Sequence, residues 1–219
     1  MPFLFEGDMF CGIETVKFHM PFVSFEGIDA SGKSTQIRLL CSFLKEKGMD
    51  FVLVREPGGT LIGEKIREIL LTPENQMFPE TEFLLYAASR AQLVREKIIP
   101  ALENGRLVIA DRFADSSVVY QGFGRGLSIE KIVYINDFAT LEIVPDVTFV
   151  IDIPVEESLK RKGEKRDRIE MEKKEFIERV REGYHRLSSN PRFVLIDGLK
   201  SIDEIHSIII EVLRERKIV

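Results

Sequence analysis

The eight residues Gly27-Ile28-Asp29-Ala30-Ser31-Gly32-Lys33-Ser34 constrain this chain more than any other stretch. They carry the spacing G-x-x-x-x-G-K-S, follow a short apolar run from Phe22 to Phe25, and open a segment with Ile37, Leu40, Cys41 and Leu44 at helical spacing. A strand, a glycine-rich turn and a helix in that order make a phosphate cradle. Glycines let backbone N–H groups curl around phosphate oxygens, and the helix N-terminus adds its positive end. In such a loop the lysine reaches the β and γ phosphates and the serine hydroxyl is offered to Mg2+. The residues predicted to hold the nucleotide are therefore Gly27, Ile28, Asp29, Ala30, Ser31, Gly32, Lys33, Ser34 and Thr35. An ordinary glycine-rich turn before a helix is the competing reading.

The rest of the chain fits that start. Apolar runs of strand length recur at Phe22 to Phe25, Phe51 to Val54, Leu107 to Ala110, Val147 to Ile151 and Phe193 to Ile196, and suit strands buried on both faces. Helical patterns lie between them. The first ends at Gly48, and the last places Ile202, Ile205, Ile209, Val212 and Leu213 behind Ser201, a predicted N-cap. Alternation of this kind predicts an α/β P-loop NTPase fold, with a five-stranded parallel sheet flanked by helices on both faces. At 219 residues the chain suits one domain, read as 21–219, with residues 1–20 as an extension of unknown role.

Composition removes several function classes. The net charge of −5 argues against general nucleic-acid binding, which needs a basic footprint. No apolar run approaches the ~20 residues of a membrane span. Two cysteines without paired spacing predict neither a metal site nor a disulfide framework, and point to a reducing cytoplasm. An Asn-Lys-x-Asp guanine reader is missing; Asn136-Asp137 is expected on a helix surface. Asp111 ends the apolar run at 107–110, where a carboxylate beside a phosphate loop supports Mg2+. Arg112 follows it and suits a second anion, although a loop ion pair would explain the two as well.

Five motifs together resemble the thymidylate kinase family: FEGIDASGKSTQ at 25–36, REPGGT at 55–60, LLYAASRAQ at 84–92, DRFADSSVVYQGFGRG at 111–126 and DRIE at 167–170. The resemblance implies that Asp29 bonds the sugar 3′-hydroxyl and that Arg55 and Arg112 grip the acceptor monophosphate through their planar forks. For Arg55 a surface pair with Glu56 is the alternative. It further implies that Tyr86, where the family commonly has Phe, stacks on the base, and that Arg90 reaches the base from the same helix face. Ser117 and Gln121 would hydrogen-bond the pyrimidine edge, Tyr120 would crowd a ribose 2′-hydroxyl, and Gly122, Gly124 and Gly126 would form a mobile turn.

The family comes in two styles, with the extra arginine either in the phosphate loop or in a basic lid. Ala30 stands where the loop arginine would be, and the lid, about 155–170, contains Lys160-Arg161-Lys162 and Arg166-Asp167-Arg168. The chain thus resembles the bacterial, basic-lid type, with Arg161, Arg166 or Arg168 completing the site and Arg161 favoured. The implied reaction is ATP + dTMP giving ADP + dTDP, with Lys33, Asp111, Arg112 and Arg161 as catalytic residues and Ser34 and Asp111 on Mg2+. A homodimer is implied too. A kinase for another nucleotide, or a nucleotide-dependent switch, are the rival readings.

Overall fold

A computed structural model describes residues 21–163 and 167–219. The expected extension at 1–20 and Arg166 of the lid lie outside the described residues. The sheet has five parallel strands, β1 (Phe22–Glu26), β2 (Phe51–Arg55), β3 (Leu107–Asp111), β4 (Val147–Asp152) and β5 (Phe193–Asp197), in the order β2-β3-β1-β4-β5. Helix α1 (Lys33–Glu46) follows β1; α2 (Leu61–Leu71), α3 (Pro79–Leu93) and the short α4 (Ile99–Glu103) separate β2 from β3. Beyond β3 come α5 (Ala114–Ser117), a wide π-helical turn at Val118–Gly124 and α6 (Ile129–Thr140). The last helices are α7 (Val155–Arg161), α8 (Lys174–Leu187) and α9 (Ile202–Glu215).

Period-two alternation along β1 explains the layers. Val23 and Phe25 face a core shared with Ile37, Leu40 and Leu44 of α1 and Ile205, Ile209 and Leu213 of α9. Phe22 packs on the opposite side with Leu93, Ile98 and Leu102. Val150 and Phe193 meet Phe176, Ile177, Val180 and Tyr184 of α8. Ser201 closes a capping box with Glu204, satisfying backbone donors at the head of α9.

Several expectations change. Burial on both faces holds for the central strands, whereas the outer strands leave Leu53 of β2 and Leu195 of β5 exposed. Ile202 is exposed although Ile205, Ile209 and Leu213 of the α9 stripe are buried, and Cys41 is only half-buried against the core. Of the three glycines of the expected mobile turn, Gly122 and Gly124 are buried and only Gly126 is exposed; a Cβ at Gly124 would sit 2.6 Å from the Phe176 ring. Each strand also runs one residue past its apolar segment, to Glu26, Arg55, Asp111, Asp152 and Asp197. Those five charged residues all lie at the C-terminal end of the sheet, where open α/β folds bind ligands.

Candidate active site

The cradle needs glycine where it bends. Gly27 has φ 134°, and a Cβ there would lie 2.4 Å from the Ile151 carbonyl oxygen. Gly32, at φ 105°, caps α1 without any side-chain hydrogen bond, so the N–H groups of Lys33 and Ser34 at the head of the helix remain for a ligand. The buried Ser31 hydroxyl likewise has no partner within the described residues. Lys33 folds back, donating to the carbonyls of Gly27 and Ile28 at 3.0 Å each. Burial, then the Arg112 guanidinium, push its ammonium down to about 8, against Asp29, Asp111 and Glu26. Ser34 is exposed at the head of α1. Unpaired donors and a confined cation fit polyphosphate.

Beside the cradle lies a cavity of about 200 Å3. Asp29, Arg55, Tyr86, Asp111, Arg112, Ser117, Tyr120 and Gln121 all line it, although they come from five separate segments. Arg112, held at φ 70°, donates through Nη2 to Asp29 Oδ1 at 2.6 Å and lies 5.0 Å over the Tyr120 ring. Burial pushes the Asp29 carboxyl up, but Arg112, Lys33 and Lys162 outweigh it and hold the group below its usual range. Arg55 donates to both carboxylate oxygens of Glu64, at 2.9 and 3.1 Å, rather than pairing with Glu56. The buried Tyr120 hydroxyl has no partner among the described residues. The cavity thus presents Arg55, paired with Glu64, and Arg112, paired with Asp29, beside a phosphate loop.

A family model for thymidylate kinases matches residues 25–209. The chain belongs to the thymidylate kinase family. It is 54% identical over 197 residues to the thymidylate kinase of Caldanaerobacter subterraneus subsp. tengcongensis, covering 89% of this chain and 95% of that one. The thymidylate kinase of Fervidobacterium nodosum is 55% identical over 193 residues, covering 87% and 97%. Among solved structures, the thymidylate kinase of Ehrlichia chaffeensis superposes with a TM-score of 0.72 at 35% identity, covering 89% of this chain and 98% of that one.

Two of the residues picked out through the thymidylate kinase resemblance are placed differently from the rest. Arg90 is buried behind the cavity wall, where its guanidinium donates to Glu56 Oε2 at 2.8 Å, Asn136 Oδ1 at 2.7 Å, Ser117 Oγ at 3.1 Å and the Phe113 carbonyl at 3.3 Å. Burial lifts its partner Glu56 to about 7 although Arg90 pulls the other way. Asn136 is therefore a buried support and not a helix-surface residue. Arg161 turns to Glu157, one helical turn back, at 2.8 Å. Its neighbour Lys162 instead points its ammonium to within 3.8 Å of Asp29 Oδ2, with the side chain almost wholly covered. Arg168 is also engaged with the protein, donating to the Leu70 carbonyl and reaching Glu82 at 2.6 Å.

The supporting carboxylates were not picked out from the sequence. Glu26, fully buried at the end of β1, accepts from the Phe113 N–H at 2.8 Å, Ser116 Oγ at 2.6 Å and the Tyr184 hydroxyl at 2.7 Å. Those bonds fasten the turn after β3 that carries Arg112, while burial raises the Glu26 pKa. One signal was available: an acidic residue directly behind the buried run Phe22 to Phe25 must find donors. Glu82 gave no such signal, because it sits in a helix among other polar residues.

Proposed function

We propose that this chain transfers the γ-phosphoryl group of ATP to dTMP, with Mg2+, yielding dTDP and ADP. Phosphorylation of dTMP follows from the family, and the observation that carries the finer reading is the shared cavity. Arg55 and Arg112 sit with Asp29 beside the Lys33 loop, so an acceptor phosphate gripped by the arginines adjoins a bound polyphosphate. A second anion site of this kind has no use in a switch.

The acceptor is already an anionic oxygen, so the chemistry needs position and charge neutralisation rather than a general base. Lys33 would leave the Gly27 and Ile28 carbonyls for the β and γ phosphates. Arg112 and Arg55 would exchange their carboxylate partners for the acceptor phosphate, releasing Asp29 for the sugar 3′-hydroxyl. Tyr86 would cover the base, Tyr120 would abut C2′, and Ser117 and Gln121 would read the pyrimidine edge. Arg90 then acts by fixing Ser117. The lid adds Lys162, already against Asp29, and Arg161 once it leaves Glu157.

The described residues hold no cluster of three metal-ligating side chains. An ion held by one or two protein oxygens plus substrate phosphates suits that set, and Ser34 and Asp111 are the donors at the cradle. Mg2+ there would neutralise phosphate charge.

A homodimer fits the surface. Tyr134 and Phe138, one turn apart on α6, are 76% and 79% exposed, and Leu84 of the neighbouring α3 is exposed as well. Phe138→Asp should convert a dimer to a monomer in sedimentation, and an unchanged species would remove this face from the interface. A cytoplasmic setting goes with the free thiol of Cys41. Transfer of label from γ-labelled ATP into dTDP tests the reaction; label appearing only in free phosphate would contradict it.

A further inference from the structure

Resting on the dTMP reading, we infer that Glu82 is a positioning residue for base selection: it fixes the amide of Gln121 so that the carbonyl oxygen, not the NH2 group, faces the acceptor cavity. Glu82 belongs to the first turns of α3 and is 1% exposed, a costly place for a carboxylate without donors. Four hydrogen bonds and ion pairs converge on it. Arg125 donates through Nε to Oε1 at 3.1 Å and through Nη2 to Oε2 at 2.9 Å, and Arg168 reaches Oε2 at 2.6 Å. Gln121 Nε2 donates to Oε1 at 2.9 Å.

Donor and acceptor counting makes the orientation one-way. A carboxylate shared by two guanidinium groups is ionised and can only accept, so the amide end that meets it must be the NH2 group. Burial pushes the Glu82 pKa up, but Arg125, Gln121 and Arg168 together bring it below the usual range, which keeps the proton off. Gln121 lines the cavity, so its carbonyl oxygen is the end left for a ligand. Ser117 is set by the same logic from the other side. Its Oγ accepts from Arg90, which has no acceptor, so the serine proton is free to donate.

The cavity wall thus offers one acceptor and one donor. Thymine presents an N3–H donor flanked by carbonyl acceptors, which matches. Cytosine presents N3 as an acceptor beside an amino donor, and meets acceptor with acceptor at Gln121. An amide free to turn over would serve either base, so the discrimination lies in the buried carboxylate behind it. Arg168 belongs to the DRIE segment that ends the lid, and its N–H and Nε also bind the carbonyls of Leu71 and Leu70 at the end of α2. The base reader and the root of the lid therefore share one anchor.

Two measurements test this. In the wild-type protein, hydrogen exchange of the Gln121 side-chain NH2, assigned by its loss in Gln121→Met, should be at least ~10-fold slower than for a solvent-exposed glutamine, since the buried NH2 group is anchored on an ion-paired carboxylate. Exchange at the exposed rate would overturn the orientation. In Glu82→Gln, whose amide can pair with either face of Gln121, competition between dTMP and dCMP in one tube should show the dTMP preference falling by ~10-fold or more. The dTMP-to-dUMP ratio should stay put, because those two bases share the edge being read. Competition ratios do not depend on how much enzyme is folded. A dTMP-to-dCMP ratio that survives, or both ratios falling together as in a merely loosened pocket, would refute the proposal. A wild-type enzyme with no preference for dTMP over dCMP would instead sink the substrate reading, and the exchange rate would still judge the orientation.

Discussion

The phosphate cradle and the acceptor cavity touch, yet they are built by opposite means. The cradle is one contiguous stretch whose work is done by backbone: glycines at φ 134° and 105°, an uncapped helix start and a lysine folded over its own loop. The cavity wall is assembled from side chains far apart in the chain and held by buried carboxylates. Glu26 meets Tyr184, 158 residues away, and Glu56 meets Arg90, 34 residues away. Binding by backbone tolerates changes elsewhere but not in the loop. Binding by paired charges fails wherever one partner is lost, because the other is left buried and unpaired.

That contrast predicts a difference in kind. Arg90→Leu, outside the cavity, should strip Glu56 of its partner and cost about 3–5 kcal/mol of stability, read as a fall in Cm or Tm. A loss below ~1 kcal/mol would mean that the wall does not depend on its ion pairs. Lys33→Ala should do the reverse. Turnover should fall on the order of 10²–10³-fold while the far-ultraviolet spectrum and unfolding midpoint stay close to wild type, since the lysine bonds only its own loop. Near wild-type turnover would defeat the cradle.

The smallest effect is a pH signature of the cradle. Lys33 is depressed to about 8 in the folded protein against an ordinary 10.5. The unfolded chain therefore binds more protons between those values, and the stability of the nucleotide-free protein should rise with pH across that window. Phosphates beside the ammonium would raise its pKa again, so nucleotide binding a little above pH 8 should take up a fraction of a proton. Calorimetry in two buffers of different ionisation enthalpy reads it directly. Proton release instead of uptake would remove Lys33 from the phosphate contact.

The same contrast explains what could be read in the residues alone. Strand runs such as Leu107 to Ala110 and the loop at 27–34 were legible because their information is local, in burial patterning and in glycine spacing. The one-residue overrun of each strand was not, because Glu26 and Asp111 extend the ladders only once neighbouring strands supply partners. Seven of the eight residues that the family resemblance marks as substrate contacts line the cavity, and Arg90 falls behind it. Nothing in LLYAASRAQ tells that Glu56, Asn136 and Ser117 will absorb its guanidinium. The lid shows the limit most sharply. Arg161 and Lys162 are neighbours in a basic run, and only the end of α7 decides that the first turns to Glu157 and the second to Asp29.

ADP release measured with ATP, Mg2+ and each of dTMP, dUMP, dCMP and UMP, alongside a control without acceptor, bears on the whole reading at once. The cradle and cavity together predict rapid release with dTMP, release about 10–200-fold less efficient with dUMP, which lacks one methyl group, and little with dCMP, UMP or no acceptor. Release that is equally fast without any monophosphate, or fastest with a different one, would contradict it.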